Sequence, residues 1–174
     1  MEEQSETIST LFHLFKYNAS KCMAAEIQLK HSMAEWITGA GSVQLKMVLQ
    51  KYSGFVDQHV QKLAEFTEEE NLNSIATTDQ VMKAFVDEAN QKNKLCTDAE
   101  VRDASLLASV QLINHFKISM YGTATAFAKE LNLEQAAAVF HEMEINEKHI
   151  DDRLSQLAGF EINKKAHTTI VIPE

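Results

Sequence analysis

Helix breakers are almost missing from this chain. Its 174 residues hold one proline, Pro173, beside the C-terminus, and only five glycines. Proline costs about 3 kcal/mol inside a helix and glycine roughly 1 kcal/mol. A chain so poor in both favours a few long helices over many short strands. The length fits one domain with a substantial core, because chains of about 150 residues bury roughly 68–70% of the surface they expose when unfolded.

The net charge is −9 and the lysines are scattered rather than striped along one face. That balance argues against nucleic acid and anionic membranes as partners. The acidic start, with Glu2, Glu3 and Glu6, has neither the basic nor the apolar region of a secretory signal, and no stretch approaches the ~18 apolar residues of a bilayer span. Cys22 and Cys96 stand alone, without CxxC spacing. They read as free thiols in a reducing compartment, so a cytoplasmic location is expected.

Apolar residues recur at helical spacing in four long segments. The first is expected to begin after Ser5 or Thr7 and to reach Thr38, with Leu11, Phe15, Cys22, Leu29, Met33 and Trp36 inward. A Gly39-Ala40-Gly41-Ser42 break follows, with Ser42 as N-cap of a second helix reaching Phe66. After an acidic run, Thr77-Thr78-Asp79 should cap a short amphipathic helix carrying Val81, Met82, Phe85 and Val86. Thr97-Asp98-Ala99-Glu100, in which Thr97 and Glu100 have capping-box spacing, caps a third long helix that ends at Asn132. The fourth runs from Leu133 to Leu157, with Gly159 placed to terminate it.

Short loops within each pair and a long connection between the pairs predict an all-α, ferritin-like four-helix bundle, with a short extra helix in the crossover between helices 2 and 3. The bundle is assigned to residues 1–160. Residues 161–174, β-branched from Thr168 onward, are expected to form an extended tail. The third long helix carries a second apolar stripe, Leu106, Ile113, Met120 and Phe127, so a second face should pack on the crossover helix or on another subunit.

Polar residues interrupt the inward stripe on every long helix: Glu26, His59, Asn114 with Lys117, and Glu147. Carboxylates on facing helices with histidine nearby are how a bundle builds a di-metal site. A complete site of that kind takes about four carboxylates and two histidines, and this chain offers two and one. Glu26 at a stripe edge can also snorkel to water, and a core histidine is more often a satisfied packing residue than a ligand. Glu147, between Met143 and Ile150, is harder to place at the surface. No phosphate loop, nucleophile elbow, HExxH or EF-hand sequence is present.

The residues Val101-Arg102-Asp103-Ala104, His115, Tyr121-Gly122-Thr123, Ala136-Ala137, Glu147-Lys148 and Asp151, with Ala25-Glu26-Ile27-Gln28-Leu29 and Glu88-Ala89-Asn90, resemble the YciE/YciF-like bacterial stress proteins. The resemblance extends to about Lys165. It implies a ferritin-like bundle, a homodimer, an association with stress and a candidate di-metal centre. Two segments depart from the family pattern. Tyr52, Phe55, Val56 and His59 stand where the family tends to have His-x-x-Glu-Thr-x-x-Gln in its second helix. Asn114, His115, Phe116 and Lys117 replace Glu-His-Tyr-Glu in the third.

Two functions compete. In one, the bundle binds no cofactor and acts as a stress-associated binding or structural protein, with Lys117 (and Asn114) replacing the lost metal by reaching Glu26 or Glu147. In the other, Glu26, His59 and Glu147 hold iron or another divalent metal in a reduced site with oxidase-like or peroxide-consuming chemistry. A small-molecule ligand among Trp36, Tyr52, Phe55, Phe116 and Met120 is a third, less specific reading.

Overall fold

In the computed structural model, residues 7–70 and 78–168 are described. The expected helices form: α1 (Leu11–Gly39), α2 (Val43–Glu69), α3 (Gln80–Leu95), α4 (Ala99–Glu130) and α5 (Glu134–Leu157), followed by a π-helical turn (Ala158–Ile162) and α6 (Asn163–Thr168). No strand occurs among the described residues.

The helices make a four-sided bundle in which α1 packs on α2 and α4, and α5 packs on α2 and α4. α3 lies outside, against α1 and α4. Its direction follows from three contacts. Lys21 Nζ donates to the carbonyl of Thr78 at 3.0 Å, Gln28 Oε1 accepts from Asp79 N at 2.8 Å, and Trp36 Nε1 donates to Asn90 Oδ1 at 2.7 Å. The crossover therefore climbs beside α1 and returns the chain to the α1–α2 turn. There Asp103, in the first turns of α4, accepts from Gly41 N at 2.8 Å and Ser42 N at 2.7 Å. α4 thus descends parallel to α2, and α5 climbs back. This is the ferritin-like connectivity expected of two hairpins joined by one crossover.

The second apolar face of α4 is covered in part by α3, with the rings of Phe85 and Phe116 edge-to-face at 5.5 Å. The bundle interior forms two apolar clusters. One, toward the α1–α2 turn, contains Leu29, Met33, Leu49, Val56, Ile113, Ile150 and Leu154. The other, toward the opposite end, contains Phe15, Cys22, Leu63, Phe66, Ala124, Phe140 and Met143. Phe15, Phe66 and Phe140 meet there edge-to-face, at centroid distances of 5.4–6.0 Å.

Several boundaries differ from expectation. α1 starts at Leu11, because Thr10 Oγ1 accepts from His13 N at 3.1 Å and caps the helix there. Asp98, not Thr97, caps α4: its Oδ1 accepts from both Glu100 N and Val101 N at 2.9 Å, and a carboxylate is the stronger acceptor at a helix N-terminus. Asn132 does end the third long helix, in the left-handed region with φ 58°.

Gly159 does not terminate α5, since no glycine has a positive φ. The helix instead widens into a π turn and continues through residue 160, past the boundary expected there, to Thr168. Burial of Ala158 and Ile162 against the core and the Lys165–Glu161 pair at 2.8 Å favour that continuation over an extended tail. The rest of the expected tail, residues 169–174, lies outside the described residues.

Candidate polar site in the bundle core

A single polar layer separates the two apolar clusters. Each long helix contributes to it from near its middle: Glu26 from α1, Tyr52 and His59 from α2, Asn114, Lys117 and Tyr121 from α4, and Glu147 from α5. All seven side chains are buried. Helical spacing explains how they meet. Tyr52 lies seven residues before His59, and Asn114, Lys117 and Tyr121 follow one another at steps of three and four, so each set shares one face.

Lys117 Nζ sits at the centre, 3.0 Å from Glu26 Oε1 and 2.5 Å from Glu147 Oε1. It also lies 4.7 Å from the centroid of the Tyr52 ring, within cation–π range. His59 Nδ1 is 2.9 Å from Glu26 Oε1 and 3.5 Å from Glu147 Oε1, so Nδ1 carries a proton and donates to Glu26. The Asn146 side-chain amide reaches the other ring nitrogen at 3.3 Å. The Tyr121 hydroxyl donates to Glu26 Oε1. Glu147 Oε2 accepts from Tyr52 at 2.6 Å and from Asn114 Nδ2 at 2.7 Å, and the same Asn114 nitrogen donates to the Glu147 carbonyl at 2.9 Å.

These contacts set the charges. Burial pushes Glu26 up, but the Lys117 ammonium and the hydrogen bond from His59 outweigh it, and its carboxyl lies below the usual range. For Glu147 burial wins over Lys117, and the nearby Glu26 charge adds to it, so its carboxyl is raised. Burial works against the Lys117 ammonium, yet the two carboxylates hold its pKa above the ordinary value. Burial and the adjacent carboxylates raise both tyrosines well above theirs. The layer therefore holds the Lys117 ammonium between Glu26, whose carboxyl is lowered, and Glu147, whose carboxyl is raised.

The structure brings together every residue singled out from the inward stripes: Glu26, His59, Asn114, Lys117 and Glu147. It does not gather the aromatic set. Trp36 bonds to α3 and Phe116 packs on Phe85, whereas Tyr52 enters the layer and the partly buried Phe55 stacks on His59 at 6.4 Å. The roles of the Tyr52 and Tyr121 hydroxyls were not evident from sequence, although their helical offsets from His59 and Lys117 place them on the right faces.

The donor set does not fit a di-metal centre. Glu26, His59 and Glu147 each offer one atom within 4.8 Å of the others, but the fixed cation of Lys117 stands between the two carboxylates, where a metal would have to bind them both. Two carboxylates and one imidazole also fall short of the roughly four carboxylates and two histidines of such a site.

The fold and its polar layer define a helical-bundle protein with an ionic centre buried in its core. The chain belongs to the domain-of-unknown-function family DUF892, whose profile matches residues 10–167. It is 28% identical over 160 residues to the protein YciF of Escherichia coli, covering 91% of this chain and 96% of that one. The crystal structure of the same E. coli stress protein superposes with a TM-score of 0.82, covering 90% of this chain and 99% of that one. YcfI from Rhodopseudomonas palustris, at 22% identity, superposes with a TM-score of 0.80, covering 87% and 96%.

Proposed function

We propose that this chain is a stress-associated, metal-free helical bundle that serves as a binding or structural protein, its core locked by Lys117 in place of a metal. One observation carries the reading: the Lys117 ammonium is fully buried and within 3.0 Å of both core carboxylates. A fixed positive charge there repels a divalent cation and answers the negative charge that a metal would otherwise neutralise. The association with stress comes from the similarity to the E. coli stress protein. A cytoplasmic homodimer is part of the proposal, and light scattering on the purified chain checks the dimer.

Metal analysis of protein purified without chelator tests the central claim. The expected result is iron, manganese and zinc each far below one per chain. Stoichiometric metal overturns the reading.

The proximity of the Glu26, His59 and Glu147 ligand atoms favours one alternative, a reduced site with oxidase-like or peroxide-consuming activity. It requires the Lys117 amine to swing away from both carboxylates. Its signature is one bound metal and peroxide consumption, both lost in His59→Ala.

A further inference from the structure

An apolar groove of about 370 Å³ lies between the last turn of α3 and the first turns of α4, lined by Leu95, Cys96, Thr97, Val101 and Ser105 among others. Its aliphatic walls face water: Leu95 is 73% exposed and Val101 40%. Scattered exposed aliphatics are ordinary, but two that share one groove form a patch. Val101 also opens an outward stripe on α4, continued at helical steps by Ser105, Ala108 and Leu112, the last 53% exposed.

The C-terminal part of the chain is delivered to this groove. α5 runs antiparallel to α4 in even steps, with Asp151 on His115 at 2.8 Å and Ser155 on Gln111 at 3.4 Å. The π turn carries the chain to Glu161, which bonds Ser42 at 3.1 Å, at the level where Asp103 caps the same turn. α6 packs on α4 beyond that level, where Lys165 feels the charges of Glu100 and Asp103. Thr168, the last residue of α6, thus comes beside the first turn of α4, the turn that carries Val101.

From there the sequence continues Thr169-Ile170-Val171-Ile172, beyond the residues matched by the family profile. Three β-branched aliphatics in a row favour an extended chain, and Pro173 cannot continue a helix ladder. At about 3.3 Å per residue the four residues reach roughly 13 Å. A helix with its side chains is about 10–12 Å across, so the segment is long enough to cross α4.

We propose that residues 169–172 cross the first turn of α4 and dock as an extended segment in the groove between α3 and α4. Alternation along an extended chain puts Ile170 and Ile172 on one face, against Leu95 and Val101, and Val171 on the other. The docked segment takes both exposed walls out of water, shields Cys96 and ties the crossover helix to the end of the bundle. The occupant is the chain's own segment rather than that of a second copy, because the tether is short. A segment so tethered meets its groove at an effective concentration in the millimolar range, far above that of a second copy in dilute solution.

Cys96 reports on the groove, because it lines it and its thiol is free. The full chain is reacted with a maleimide, and the rate at Cys96 is followed by peptide mass spectrometry. Ile170→Asn/Ile172→Asn should raise that rate about tenfold by releasing the protecting segment, with the thermal midpoint of the bundle nearly unchanged. Val101→Asn, a change in the groove wall itself, should raise it likewise. Val171→Asn should leave it at the wild-type value, and dilution of the wild-type chain should not alter it. Equal rates in the wild type and in Ile170→Asn/Ile172→Asn overturn the docking. So does equal acceleration by Val171→Asn, because the contact then has no preferred face. Wild-type protection that disappears on dilution overturns it too, and assigns the groove to a second copy.

Discussion

Lys117 Nζ and Glu147 Oε1 meet at 2.5 Å across the α4–α5 interface, with both side chains fully buried. The two residues depend on one another, because neither has access to water. Lys117→Met keeps much of the side-chain volume and removes the charge, leaving Glu26 and Glu147 facing each other without a cation. Breaking a buried pair in this way typically costs about 3–5 kcal/mol. Both carboxyls of the variant would have folded pKa values raised above their unfolded ones, so each favours folding at acid pH and loses that contribution as pH rises. Urea unfolding of Lys117→Met should therefore show a large loss at pH 7, partly recovered at pH 5. A variant as stable as the parent at pH 7 contradicts this account.

Alkaline pH should destabilise the protein in successive, steepening steps. Burial, followed by the charge of Glu26, raises Cys22 above its ordinary 9.0. Burial and neighbouring carboxylates likewise raise Tyr52 and Tyr121 well above 10.0. Lys117 is raised above 10.5 because its carboxylate partners outweigh burial. Each of these groups holds its proton in the folded state at a pH where the unfolded chain has released it. The unfolded state then binds fewer protons, and stability falls as pH rises, by about 1.4 kcal/mol per pH unit for each such group. The urea midpoint should begin to fall near pH 9 and drop faster above 10. Tyr52→Phe/Tyr121→Phe should flatten the fall above 10. An unchanged slope in that variant rules out the tyrosines as its source.

Asp103 caps a helix to which it does not belong. Its two carboxylate oxygens take the N–H groups of Gly41 and Ser42, at the start of α2. Asp103→Ala leaves those donors without their partner and should cost about 1–3 kcal/mol. A Cβ built on Gly41 would lie 3.2 Å from Asp103 Oδ2, so Gly41→Ala should be destabilising in the parent and milder in the Asp103→Ala background. A double-mutant cycle in urea measures that coupling, and strict additivity would mean that the two residues do not interact.

How much of this was legible follows the range of the interactions. The four long helices rest on local causes, chiefly the scarcity of Pro and Gly and the 3.6-residue stripe. The polar layer was visible because Glu26, His59, Lys117 and Glu147 break stripes that are otherwise apolar on both sides. What escaped was decided between distant segments or between competing caps. Glu161 accepts from Ser42 Oγ at 3.1 Å across 119 residues of sequence, and that contact helps to hold residues 158–168 helical where an extended tail was expected. Thr97 and Asp98 are both acceptable caps by type, and only the geometry selects Asp98. Likewise, an inward tyrosine reads as packing until its hydroxyl is seen to end on a carboxylate.

The last prediction concerns why the layer exists. Buried ion pairs rarely stabilise a fold beyond well-packed apolar residues of the same volume, and replacing one completely is often neutral or stabilising by about 1–4 kcal/mol. Replacing only part of this layer strands its remaining members, so the informative variant changes all of it: Glu26→Leu, His59→Leu, Lys117→Met and Glu147→Met, with Asn114→Leu, Tyr52→Phe and Tyr121→Phe to remove the donors. The two apolar clusters would then merge into one continuous core. We expect thermal and urea stability equal to or above the parent's, the alkaline fall much reduced, and the midpoint no longer sensitive to pH between 5 and 8. If the layer also fixes the register of the four helices, the all-apolar variant should lose uniqueness rather than stability, with poorer dispersion of its core methyl signals in NMR spectra and binding of a hydrophobic dye. A less stable all-apolar variant would show instead that the ionic layer stabilises this fold outright.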